Sequence, residues 1–244
     1  MVKRILMFLY QFFIFMPVLV ITTIITAVTV MIGCAFGNHK FWGYVPPKYW
    51  SKIVCRVALC NIKVKGIEKL DKNASYVFTP NHQSAFDIFL LYGYLGHNIK
   101  WVQKHTLRKI PFVGKASAMA GHVFVNQSSL KSMIETIKKA KDELQDGVSM
   151  VIFPEGSRTS DGKMGKLKKG AFIIAKEMNL PIVPITLNGP FNVMKMHTYL
   201  IHPQTMELVI HDPIPTDGLT DEDIPALIDK TREAIYSSLW DIYK

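Results

Sequence analysis

The chain has 244 residues, 49% of them hydrophobic, and 29 basic against 19 acidic side chains give a net charge of +10. That length supports one substantial domain and leaves two cramped. A basic balance of this size suits nucleic acid, anionic lipid, a phosphorylated small molecule or a solubilising lysine surface; a long apolar segment favours lipid, and with no recognisable nucleic-acid module present no nucleic-acid partner is expected.

From Ile5 to Phe36 there is no charged side chain. The stretch follows Lys3 and Arg4 but is far longer than the roughly 7–15 residue core of a secretory signal, and no small-x-small cleavage site closes it. Met31-Ile32-Gly33-Cys34 is only a faint match to a lipoprotein cleavage box. About 20 residues suffice to cross the hydrocarbon, yet basic residues flank both ends: Lys3 and Arg4 before it, Lys40, Lys48, Lys52 and Arg56 after it. Pro46-Pro47 then precedes an amphipathic run over 49–59, and Trp42, Tyr44, Tyr49 and Trp50 suit the headgroup level. The preferred reading is a helical anchor dipped into one leaflet with both ends on the cytoplasmic side; a single crossing is the alternative. Cys34, Cys55 and Cys60 lack zinc-type pairing and read as small apolar residues of a reducing compartment.

From residue 61 onward, runs rich in β-branched and aromatic residues predict strands at 62–65, 75–79, 99–103, 122–126, 149–153, 182–187 and 206–211. Helical patterns fall at 84–95, 112–120, 128–145, 168–179 and 221–242. Strands alternating with helices imply an α/β sheet with both faces covered. The helix over 128–145 opens at Ser128 or Ser129 and stops at Asp146-Gly147. The last helix opens after Thr220 with acids in its first turn. Nothing divides the domain.

Two short blocks stand out. Asn81-His82-Gln83-Ser84-Ala85-Phe86-Asp87 follows a predicted strand. Five positions along one helix turn through about 500°, so His82 and Asp87 meet only if His82 lies in the turn before the helix and folds back over it. A carboxylate on one imidazole nitrogen fixes the tautomer and frees the other to accept a proton, which activates a hydroxyl nucleophile. The same residues also read as a plain capping turn. The second block, Phe153-Pro154-Glu155-Gly156-Ser157-Arg158, emerges at the carboxyl end of a predicted buried strand, the usual binding edge of an α/β sheet. Gly156 permits close approach of the backbone, Arg158 suits a phosphate, and Glu155 can orient Arg158 or a substrate hydroxyl. The lysines of 163–169 add flexible positive charge. Alone, this block reads equally as a solvated turn with an exposed ion pair.

Together the blocks resemble the glycerolipid acyltransferase family, in particular bacterial 1-acyl-glycerol-3-phosphate acyltransferases. Asn81-His82-x4-Asp87 matches the catalytic block, Phe153 to Arg158 the acceptor block, and Leu180-Pro181-Ile182-Val183-Pro184-Ile185 the apolar-proline block assigned to the acyl side. Lys104-x2-Leu107-x3-Pro111-x2-Gly114 and Leu167-Lys168-Lys169-Gly170-Ala171-Phe172 also fit. One block departs: where the family carries Gly-x-x-Phe-x-x-Arg, this chain has Gly121 to Gln127, with glutamine in the place of the phosphate-binding arginine.

The resemblance implies membrane-anchoring helices over 1–60 and, over 61–244, a single α/β domain with a central mostly parallel or mixed sheet flanked by helices. It implies acyl transfer from acyl-CoA or acyl carrier protein to the sn-2 hydroxyl of 1-acyl-glycerol-3-phosphate, at the cytoplasmic face of a bacterial inner membrane, with no cofactor and no metal. His82 is expected as general base and Asp87 as its orienting partner. Lys104, Glu155, Gly156, Ser157 and Arg158 are expected to receive the acceptor phosphate, with Gln127 and Lys168 as further contacts and Pro184 on the acyl side. Gln127 keeps a second acceptor open, another lyso-lipid such as a lyso-amino-acid lipid. A non-catalytic membrane-bound lipid-binding protein is the distant alternative. His105, His122, His197 and His202 read as structural or surface residues.

Overall fold

A computed structural model describes residues 2–125, 129, 134, 137, 138, 144 and 147–244. The strands are β1 (Asn61–Lys65), β2 (Val77–Pro80), β3 (Asn98–Lys104), β4 (Val123–Val125), β5 (Val148–Val151), β6 (Ile182–Asn188) and β7 (Thr205–Ile210). Among the described residues they form one sheet in the order β1-β7-β6-β2-β5-β3-β4. Every adjacent pair is parallel except β6 and β7, which run antiparallel. The sheet is therefore mixed. The central strands β2, β5 and β6 are buried along their whole length, as expected of strands covered on both faces.

The helices are α1 (Val2–Tyr10), α2 (Met16–Phe36), α3 (His39–Trp42), α4 (Val45–Val57), α5 (Phe86–Tyr94), α6 (Val113–Met119), α7 (Gly170–Met178), α8 (Pro190–Val193) and α9 (Ile224–Ser238). On one face of the sheet, Phe78, Ile99, Val151, Ile185 and Leu208 pack against Val54, Cys55 and Ala58 at the end of α4 and against Phe86, Leu90 and Leu91 of α5. On the other, Val77, Val148, Met150 and Ile182 pack against Phe172, Ile174 and Ala175 of α7 and Ile224 and Leu227 of α9. This alternation follows the two-residue period of a strand.

A single π turn, Gln11–Phe15, joins α1 to α2. Pro17, early in α2, has no N–H to donate, and the widened turn absorbs that break in the ladder. Phe15 is buried against Phe86 of α5, and Ala27 and Val30 pack on Ala116 of α6 and on Ala120 just past its end. The long apolar helix thus lies along the domain. A Cβ at Gly33 would come within 2.3 Å of the Trp42 ring, so the glycine is what lets α3 fold back onto α2.

Three boundaries stand out against the sequence expectations. Pro46 and Pro47 lie inside the first turn of α4 rather than ahead of it, because the first turn needs no N–H from them. The acids after Thr220 stand before α9, not in its first turn: the Asp223 carboxylate accepts from Thr220 N and Thr220 Oγ1, both at 2.8 Å, and closes a turn of its own. That helix ends at Ser238, ahead of a short 3₁₀ turn at Asp241–Tyr243. The helix expected over 128–145 lies mostly outside the described residues.

Candidate active site

The turn after β2 is built by Asn81. Its buried side-chain amide donates to Leu187 O at 3.0 Å and its oxygen accepts from Leu187 N at 2.7 Å, which ties the turn to the end of β6. Beyond it, His82 folds back over the start of α5, as the spacing argument requires. His82 Nδ1 lies 2.7 Å from Asp87 Oδ2. The same oxygen accepts from Gln83 N at 2.6 Å and Ser84 N at 2.9 Å. Asp87 is 0% exposed. An oxygen that takes two backbone N–H groups acts as a carboxylate acceptor, so Nδ1 is the protonated nitrogen and Nε2 is left to accept a proton. Ser84 Oγ donates to Met194 O at 2.7 Å, fixing the turn on its far side.

Glu155 has a different place from the one its position beside Arg158 implied. Its carboxylate is 7% exposed and accepts from His82 N at 2.7 Å through Oε1 and from Gly165 N at 2.7 Å through Oε2. Burial pushes its pKa up, opposed by those two backbone donors. Glu155 therefore braces the histidine and the 163–169 loop instead of pairing with Arg158. Two more bonds join the blocks: Thr159 N donates to His82 O at 3.0 Å, and Gln83 Nε2 to Gly162 O at 3.4 Å. The Phe153 ring stacks on the His82 ring with centroids 3.8 Å apart. The two motifs are one hydrogen-bonded unit.

The cationic residues are arranged otherwise. Arg158 is half-buried and Lys104 and Lys168 are exposed; none makes a side-chain hydrogen bond or ion pair among the described residues. They sit at the carboxyl ends of neighbouring parallel strands, Lys104 closing β3 and the loop of Arg158 and Lys168 following β5. Gly156 takes φ +78, and a Cβ there would lie 2.7 Å from Lys168 Nζ, so the glycine keeps this ammonium close over the backbone. Ser157 is exposed. Pro184 is buried within β6, opposite Thr79 of β2, so it is part of the sheet and not of an exposed cleft wall. Gln127 lies outside the described residues.

Other histidines have structural surroundings. His122 Nε2 lies 3.0 Å from Tyr92 Oη, and burial with the nearby Lys100 ammonium pushes its pKa down to about 3. His97 Nε2 meets Ala74 O at 3.0 Å. Among the described residues no group of three His, Cys, Asp or Glu could hold a metal ion. Sequence reasoning did not anticipate the bonds from Asn81 to Leu187 or from Glu155 to His82 N. The available signals were an amide directly after a strand and a lone acid between a proline and a glycine.

A family model described as Acyltransferase matches residues 61–188. This chain belongs to the acyltransferase family. A 1-acyl-sn-glycerol-3-phosphate acyltransferase of Saccharomyces cerevisiae is 31% identical over 233 residues, covering 89% of this chain and 77% of that protein. The chloroplastic 1-acyl-sn-glycerol-3-phosphate acyltransferase LPAT1 of Arabidopsis thaliana is 32% identical over 179 residues, or 72% of this chain and 49% of that one. This acyltransferase spans about half the length of its plant and algal relatives. The crystal structure of PlsC, a 1-acyl-sn-glycerophosphate acyltransferase from Thermotoga maritima, superposes with a TM-score of 0.80 at 24% identity, covering 98% of each chain, and shares the fold.

Proposed function

We propose that this acyltransferase moves a fatty acyl group from acyl-CoA or acyl carrier protein to the sn-2 hydroxyl of 1-acyl-glycerol-3-phosphate, giving phosphatidate. The observation that carries this reading is the 2.7 Å contact between His82 Nδ1 and a buried Asp87 that also holds the turn's backbone. His82 Nε2 takes the hydroxyl proton as the oxygen attacks the thioester carbonyl. The tetrahedral intermediate collapses, the C–S bond breaks, and the imidazolium returns the proton to the leaving thiolate. No covalent acyl-enzyme forms, and the proton balance needs neither metal nor cofactor. General-base action of this kind contributes about 10²–10⁴ in rate. Arg158, with Lys104 and Lys168, receives the acceptor phosphate, and the glycine backbone at 156 lets it approach. Pro184 supports the acyl side from within the sheet.

Residues 1–60 act as the membrane-attachment unit and 61–244 as the catalytic unit, although the end of α4 is shared with the catalytic core. The helical stretch Arg4–Phe36 is long and apolar enough to cross a membrane, by length and composition. Its packing against α4 and α6, with Ile21, Ile25 and Ile32 exposed on the opposite side, supports a helix lying in one leaflet at the cytoplasmic face.

The test is acyl transfer by purified protein. His82→Ala should lose at least 10²-fold in kcat; transfer at the unsubstituted rate would end the proposal. Gln127, in place of a family arginine, favours one second reading, another lyso-lipid acceptor. An acceptor panel decides between them: strong activity on a lyso-amino-acid lipid with none on lysophosphatidate selects the second.

A further inference from the structure

We propose that the loop 195–202 is a second lipid-contacting element, held in the same leaflet as the first turns of the N-terminal helix, with Tyr199 and Leu200 entering the bilayer interface. This rests on the membrane attachment proposed above and adds a site remote in sequence.

The loop is fixed to the apolar helix by an unusual residue. Gln11 is buried although it lies in an otherwise apolar stretch, and its amide is used on both sides: Nε2 donates to Tyr199 O, and Oε1 accepts from Ile201 N at 2.9 Å. The amide thus clamps the backbone on either side of Leu200. Ile201 is buried in the core, while Tyr199 is 88% and Leu200 46% exposed. The loop is also closed at its base by His202 N donating to Val193 O at 2.8 Å and within it by Thr198 N donating to Lys195 O at 3.2 Å. Two large apolar side chains are therefore displayed outward by a hydrogen-bonded frame.

Their surroundings specify the occupant. Residues next to the clamp on the helix, Phe8, Phe12 and Phe13, are exposed as well, Phe12 at 61%, so the loop extends the apolar face already assigned to lipid. Lys195, His197 and His202 flank the apolar pair, and no acid occurs between 190 and 204. Aromatic rings beside basic groups suit the headgroup level of a bilayer with anionic lipid. The same loop leaves Met194, whose carbonyl accepts from Ser84 Oγ at 2.7 Å in the turn that carries His82. Docking the loop sets the level of the leaflet relative to the dyad.

The experiment uses the full chain with Cys34→Ala and Cys60→Ala, leaving the buried Cys55. An environment-sensitive NBD label is placed in turn at Tyr199→Cys, Phe12→Cys and Glu233→Cys, the last on the opposite face of the sheet. On adding phosphatidylethanolamine–phosphatidylglycerol vesicles, the labels at 199 and 12 should both shift to the blue and be quenched by brominated lipid, while the label at 233 stays water-like. A response at 12 without one at 199 overturns this proposal and leaves the helical attachment standing; no response at either site overturns both. A shift at 199 that depends on protein concentration without vesicles assigns the face to a second copy and also overturns it. As a second measure, Tyr199→Ser with Leu200→Ser should lower vesicle partitioning about tenfold, with turnover of a water-soluble short-chain lysophosphatidate retained. Unchanged partitioning of that variant counts against the proposal.

Discussion

The turn that holds His82 and the cationic residues Lys104, Arg158 and Lys168 lie at or beyond the carboxyl ends of neighbouring parallel strands, yet they are built in opposite ways. Asn81, Ser84 and Glu155 and one oxygen of Asp87 bond to backbone groups, and all four residues are buried. Arg158, Lys104 and Lys168 have no side-chain hydrogen bond or ion pair among the described residues. A general base must be held in one tautomer and one orientation before substrate arrives, and buried hydrogen bonds do this because leaving them unmade is costly. A receiver for a charged, mobile headgroup gains from cations that stay solvated until the anion replaces water. The proposed chemistry is thus preorganised on the side of the base and open on the side of the acceptor.

Substitutions that respect this division should separate its two halves. The largest effect is expected for Asp87→Asn, which can keep the shape of the turn with its carbonyl oxygen in the place of Oδ2 but removes the negative charge beside Nδ1 that stabilises the imidazolium: kcat should fall about 10³-fold or more, with circular dichroism unchanged. Near-normal kcat would remove the dyad from the reaction. Arg158→Ala should instead raise the KM for lysophosphatidate about 10–100-fold, in line with the loss of a charge-assisted contact, and leave kcat within a few fold. A fall in kcat alone would place Arg158 on the side of the base. For Glu155→Gln we expect about a tenfold loss of kcat and little change in KM, since one of its two backbone donors would meet an amide N–H; a change confined to KM would return this residue to the acceptor.

The smallest effect concerns stability and pH. His122, held neutral with its pKa near 3, and His211, lowered to about 4 by burial, both lie below their ordinary value of 6.5. As pH falls below 6.5 the unfolded chain binds protons that the folded chain refuses, so stability is full above that pH and is lost progressively toward the folded values. Melting temperature should drop between pH 7 and pH 5, and His122→Asn should flatten that drop by a few degrees. An identical slope in the variant would show that His122 is not a source of the acid sensitivity.

Much of the architecture was legible in the sequence because buried strands advertise themselves. The apolar runs at 75–79, 149–153 and 182–187 anticipate β2, β5 and β6 to within two or three residues, and their alternation with helices implies a covered sheet. The strand order and the antiparallel pairing of β6 with β7 were not legible, since period and composition carry no information on which strand lies beside which. In the site, the contact of His82 with Asp87 spans five residues and could be tested against helix geometry in advance. The brace from Glu155 to His82 N spans 73 residues and the Asn81–Leu187 pair spans 106, and both use backbone groups, which every residue has. Gln11 was visible as an amide in an apolar stretch, but its partners at 199–201 lie nearly the whole chain away.

That long reach of Asn81 has a consequence for the order of events during synthesis. The apolar helix and the His82 turn leave the ribosome well before Leu187, whose backbone N–H and C=O hold the turn in place. Domains assemble as units, and distant pairings close late. With the attachment proposed above, the nascent chain can settle on lipid while its imidazole is still unaligned, since the bonds from Leu187 to Asn81 form only once β6 lies beside β2. On that proposal attachment precedes reactivity, and a ribosome-bound fragment ending before residue 187 should associate with lipid vesicles and turn over no thioester.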